Sequence, residues 1–118
     1  MISGKESLET GEVITAMGNV YQAMSKFKEA EELYKKYMSI AENMMSKESM
    51  EYASALFYLS SLKIETQSLK EAESLLKITE QLVRNNLGDD TMEYMQVKNI
   101  YGMLRLAQDD SPAAVNEF

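Results

Sequence analysis

The chain contains no cysteine, no histidine and no tryptophan, and only one proline and five glycines. Without cysteine there are no disulfides, thiolate metal sites, cysteine nucleophiles or iron–sulfur ligands. Without histidine there is no His-ligated zinc, no Ser-His-Asp triad and no side chain of the usual kind to act as a general base near neutral pH. Cations are scarce as well. Twelve Lys and Arg stand against 19 Asp and Glu, a net charge of −7, so little is left to neutralise a phosphate backbone and no nucleic-acid partner is expected. No apolar run is long enough to span a bilayer. Met1–Glu6 has neither the basic flank nor the apolar core of a signal peptide. These absences read as a soluble, cytoplasmic chain with no membrane partner.

What is present is 118 residues that are 45% apolar and 26% charged, the composition of one globular domain or a short repeat array. The chain repeats itself on a shift of 42 residues. Phe27-Lys28-Glu29-Ala30-Glu31 returns as Leu69-Lys70-Glu71-Ala72-Glu73. Glu6-Ser7-Leu8-Glu9 returns as Glu48-Ser49-Met50-Glu51 and as Asp90-Thr91-Met92-Glu93. Gly18, Ser60 and Gly102 share one phase, and Ala30, Ala72 and Ala114 share another. The units run about 6–47, 48–89 and 90–118, the last incomplete.

Apolar spacing within each unit follows a 3/4 rhythm, as in Val13, Ile14, Met17, Val20, Tyr21 and Met24, and strand-like alternation does not persist. Ser68 with Glu71 and Asp90 with Glu93 read as capping boxes, Ser111-Pro112 as a helix start and Asn85–Gly88 as a stop. Helices are therefore predicted near 7–24, 27–45, 50–66, 69–86, 91–108 and 112–118. Met17, Met38, Met50 and Met92 fall on the rhythm that faces a core. In every unit a small residue of the first helix precedes the Ala of the second by twelve positions, as two closely packed antiparallel helices require. One pair cannot bury its apolar stripe alone, and stacked pairs make a continuous core.

This pattern resembles a tetratricopeptide repeat array. The marks are the small position, the Ala twelve residues on, and an aromatic or Leu four further (Tyr34, Leu76, Phe118). The long unit, with Lys-Glu-Ala-Glu opening the second helix, is similar to the kinesin-light-chain type. The resemblance implies an all-α fold, a right-handed α-solenoid of stacked antiparallel helix pairs. Tyr37 and Thr79 depart from it, standing where the family usually has Ala. So do Thr15-Ala16, Phe57-Tyr58 and Asn99-Ile100, where kinesin light chains often carry an Asn pair. Of the positions that grip a chaperone-tail carboxylate in one subfamily (here Thr15, Asn19, Tyr58, Gln96 and Ile100), only Asn19 agrees, which argues against that ligand.

In such arrays the first helices line the concave side. The resemblance thus assigns Thr15, Asn19 and Gln22 in the first unit, Ser54, Phe57, Tyr58 and Ser61 in the second, and Gln96, Asn99 and Met103 in the third, to a peptide-binding groove. The expected function is a scaffold or adaptor holding a peptide or partner protein, neutral or basic in charge. Two other readings stand beside it: a self-associating module stacking through its incomplete C-terminal end as a homo-oligomer, and a peptide-sensing domain of a bacterial regulator. No enzyme and no cofactor is expected. The Gly residues are scattered rather than gathered in a phosphate loop, no calcium loop pattern occurs, and Asp89-Asp90 and Asp109-Asp110 fall at helix boundaries.

Overall fold

The computed structural model describes the backbone of residues 4–109 and the side chains of 11–109. It is all-α, with no strand among the described residues. The helices are α1 (Gly4–Ala23), α2 (Phe27–Met44), α3 (Met50–Glu65), α4 (Leu69–Leu87) and α5 (Met92–Asp109). The predicted helix over 112–118, with Ala114 and Phe118, lies outside the described residues.

The two bonds that close the turn between α1 and α2 recur between α3 and α4. Ser25 and Gln67, 42 residues apart, both take left-handed backbone, at φ 61° and 67°. Lys26 N–H donates to Tyr21 C=O at 2.8 Å, and Ser68 N–H donates to Lys63 C=O at 2.8 Å. Ser25 N–H reaches Gln22 C=O at 3.0 Å, and Gln67 N–H reaches Ile64 C=O at 3.1 Å. Each is a Schellman ending that uses a residue other than glycine, at the cost of left-handed strain. The other helix starts also match in phase: Ser49 Oγ accepts from Tyr52 N–H at 3.1 Å, and Thr91 Oγ1 accepts from Tyr94 N–H at 3.2 Å.

These bonds correct both predicted capping boxes. Ser68 makes no side-chain cap. It already closes α3 through its own N–H, and at φ −88°, ψ 66° it lacks the extended backbone from which a cap reaches inward. Its intended partner Glu71 turns instead to Lys63, 3.1 Å away. At α5 the cap is Thr91 rather than Asp90, because the helix starts one residue later than the box required.

The helix pairs close where one chain is small and the other large. A Cβ added to Gly18 would lie 2.6 Å from Tyr34 Cε1, and one added to Gly11 would lie 2.5 Å from Tyr37 Cε1. As α1 runs back from Gly18 to Gly11, α2 runs on from Tyr34 to Tyr37, so the pair is antiparallel. The second unit shifts the bulk, with a larger small side and a smaller large side: Ser60 and Leu76 at the first junction, Ala53 and Thr79 at the second, all buried. Glycine faces tyrosine in one unit, and serine or alanine faces leucine or threonine in the other. This explains the bulk of Tyr37, which Gly11 accommodates. Ala30 and Ala72 are fully buried, as their position twelve residues past the small sites requires. The buried hydroxyls of Ser60 and Thr79 donate to the carbonyls of Leu56 and Leu75, one turn back, at 2.7 and 2.8 Å.

Helices contact their neighbours in sequence, and α3 also touches α1 and α5. Among the described residues the backbones of α1 and α2 stay apart from those of α4 and α5, while Leu75 of α4 joins the side-chain cluster around Ala30 and Tyr34 of α2. The molecule is elongated, 55 × 33 × 20 Å. Lys63 of α3 ties the row together: it bonds Glu31 of α2 and Glu71 of α4. Its ammonium is held above its ordinary pKa by Glu31, and the Glu31 carboxyl is held below its own by Lys63.

Two methionines leave the core positions expected of them. Met17 is about half exposed, and Met92 is exposed at the first turn of α5, whereas Met38 and Met50 pack partly against the core. The rhythm places Met17 on an apolar stripe, but α2 covers only the Gly11–Gly18 side of α1.

Two outcomes follow for stability. Gly18→Ser should cost roughly 1–3 kcal/mol by overpacking Tyr34, and adding Tyr34→Leu, which reproduces the second unit, should restore most of that in a denaturation double-mutant cycle. Independent, additive costs would contradict the pairing. Gln67→Gly should stabilise by about 1 kcal/mol through relief of left-handed strain, read as a raised thermal midpoint.

Candidate functional site

Two hollows meet at Phe57 and Tyr58 on α3. The first, about 80 Å³, lies among α3, α4 and α5, with Met50, Ala53, Thr79, Val83 and Val97 as its apolar floor and Ser54, Glu93 and Gln96 at its rim. The second, about 360 Å³, lies between α1 and α3 and is lined by Asn19, Gln22, Ala23, Ser61 and Glu65. Phe57 and Tyr58 line both.

An aromatic row underlies this surface. Tyr34 of α2 stacks on Tyr58 with centroids 5.7 Å apart at 16°. Phe57 meets Tyr58 edge to face at 5.6 Å and 84°. The Tyr34 hydroxyl lies 2.6 Å from Asn19 Oδ1 and 2.9 Å from Gln22 Oε1, donating to one at a time. Gln22 Nε2 in turn donates to Glu65 Oε1 at 2.8 Å. The polar wall of the second hollow is thus held from beneath by a buried phenol. Burial pushes that phenol up to about 12, with smaller contributions from Tyr58 and Glu65. The charge of both hollows is of one sign. Among the described residues Glu65 and Glu93 line them and no Lys or Arg does.

The first hollow takes its shape from the way α5 is fastened to α4. Arg84 donates to the Tyr94 hydroxyl at 2.6 Å, and Lys98 pairs with Glu80 at 2.9 Å while lying 5.2 Å from the Tyr94 ring centroid. The Lys98 bond holds the Glu80 carboxyl below its usual range. Further along, Arg105 reaches Glu73 at 3.4 Å. This seam fixes the face of α5 that carries Glu93 and Gln96.

Seven of the ten residues expected to face a groove line the two hollows: Asn19, Gln22, Ser54, Phe57, Tyr58, Ser61 and Gln96. Three do not. Thr15 is buried, with Oγ1 lacking a hydrogen-bond partner among the described residues. It shares a helix face with Gly11 and Gly18, the face that α1 turns to α2. Asn99 and Met103 are exposed on α5 but line neither hollow. Sequence reasoning missed Glu65, Glu93 and the floor residues Met50, Thr79 and Val83. Glu93 was legible in principle, since it lies one helical turn before Gln96. The floor was not, because it is assembled from three helices.

Among the described residues no three or more acidic side chains gather as a metal site would need, and no helix is long and apolar enough to cross a membrane. Compared with protein-family models, with curated proteins and with solved structures, the chain gives no match.

The buried phenol makes a pH dependence. A group whose pKa is raised on folding contributes stability that is intact below its unfolded value and lost as pH rises through the folded one. For Tyr34 that window runs from about 10 to about 12. Tyr34→Phe should cost about 1 kcal/mol at neutral pH through the lost hydroxyl bond. The gap between wild type and variant should then narrow or reverse across this window in denaturant titrations. A constant gap would contradict a buried, protonated Tyr34.

Proposed function

We propose that the chain is a peptide-binding scaffold of the tetratricopeptide-repeat type: a right-handed α-solenoid of stacked antiparallel helix pairs whose first helices form the binding wall. The period of 42 residues in the α1–α2 and α3–α4 turns supports the architecture, as does the row-like packing in which the backbones of α1 and α2 stay apart from those of α4 and α5.

The observation that carries the binding function is the junction of the two hollows at Phe57 and Tyr58. One side is an apolar depression sized for part of a side chain. The other is walled by amides, hydroxyls and a carboxylate, groups that pair with a peptide backbone and with a cationic side chain. Rigid aromatics at the centre supply contact area at low entropic cost. With Glu65 and Glu93 as the charged linings, the partner is a neutral or basic segment.

The test is selection from a random peptide library on the immobilised chain, followed by anisotropy titration of the selected peptides. Selected peptides should be neutral or basic and should lose at least tenfold in affinity, about 1.4 kcal/mol, against Phe57→Ala with Gln96→Ala. Asn99→Ala should leave affinity unchanged. Peptides that bind the double variant as tightly as wild type would refute the groove assignment, and failure to select any peptide would refute the function.

A further inference from the structure

A second surface is set apart by its register. On α1, Val13, Met17, Val20 and Met24 form one stripe, and all four are between 45% and 58% exposed. Moved by 42 residues, the first three positions become Ala55, Leu59 and Leu62 on α3. Moved again, they become Val97, Tyr101 and Leu104 on α5. There the same positions are seats for a neighbouring helix. Leu59 and Leu62 pack with Ala30 and Tyr34 of α2, Ala55 packs with Tyr37, and Val97 and Leu104 pack with Leu76 and Val83 of α4. On α1 the seat is built and uncovered among the described residues.

We propose that this stripe is the interface of a two-fold homodimer, in which α1 of one copy packs antiparallel against α1 of a second copy. Three observations favour a second copy as occupant. First, the spacing is 4-3-4, the seam of a two-helix coil. The flanking positions Ala16 and Ala23 are small enough to allow close approach. Second, from Val13 to Met24 there is no charged residue, while the chain as a whole carries −7. The other stretch of comparable length without charge, Tyr52–Leu62, belongs to α3, which is packed against its neighbours on both sides. Elsewhere two copies would bring carboxylates together; along this stripe they do not. Third, antiparallel pairing sets Val13 opposite Met24 and Met17 opposite Val20. It also brings Glu12 of one copy to the end where Lys26 of the other lies, so the ends are complementary. An isologous contact of this kind closes at two chains, and it leaves the Phe57–Tyr58 surface outside the interface.

Sedimentation equilibrium of the whole chain over a concentration series tests this. The mass should rise to that of two chains and stop there. Met17→Glu with Val20→Glu should give one chain at every concentration, with the helical circular dichroism and the cooperative melt retained, because both side chains are already half exposed. Val20→Ser with Met24→Ser, which adds no charge, should raise the dimer dissociation constant at least tenfold and serves if the glutamates disturb the fold. Leu106→Glu, on α5, should leave the dimer intact. A wild-type chain that stays single at all concentrations overturns the proposal and assigns the stripe to a different protein. A mass growing past two chains, or a dimer that survives both α1 variants or dissociates with Leu106→Glu, overturns it as well.

Discussion

The first helix pair is held at its spacing by two tyrosine rings resting on backbone that bears no side chain. Tyr34 fills the place where Gly18 has none, and Tyr37 does the same at Gly11. Because Tyr34 also stacks on Tyr58 and bonds Asn19 and Gln22 through its hydroxyl, the contact that sets the α1–α2 distance also sets the floor and wall of the larger hollow. Packing and site are one structure here. Interiors pack at crystal-like density and relax only partly when volume changes, so a change at the glycine travels to the groove through a ring that has nowhere to go.

The second pair solves the same geometric problem with less volume on the large side and more on the small side. Ser60 and Ala53 replace the glycines, and Leu76 and Thr79 replace the tyrosines, all buried. Bulk is exchanged across the helix junction while the two closing bonds of the turn are kept, so the two pairs carry differing faces. The consequence for the surface is that the aromatic row crosses from the first unit to the second at Tyr34 and Tyr58. It places the apolar depression on one side of that crossing and the amide wall on the other.

Much of the fold was legible in the 42-residue period. The starts of α2, α3 and α4 at Phe27, Met50 and Leu69 fall where periodicity and punctuation put them, because helix phase is written in the apolar spacing. Ala30 and Ala72 were legible as buried for the same reason. Other features depend on three-dimensional neighbours. Thr15 shares its phase with Phe57 and Asn99, yet it turns inward, since the glycines beside it draw α2 close. Met17 sits on an apolar rhythm and is half exposed, because a rhythm reports that a face is apolar, not that something covers it. Ser68 reads as a cap by type and spacing, but its backbone is committed to ending the preceding helix. Glu65 and the floor around Val83 come together only when helices distant in sequence are brought side by side.

Tyrosine rings lie directly against glycine backbone across the α1–α2 junction, and proton NMR reads this contact without perturbing it. Gly18 and Gly11 Hα resonances should be displaced by ring currents, with nuclear Overhauser contacts from Gly18 to the Tyr34 ring and from Gly11 to the Tyr37 ring. Glycine resonances at ordinary helical positions, with no contact to either ring, would contradict it.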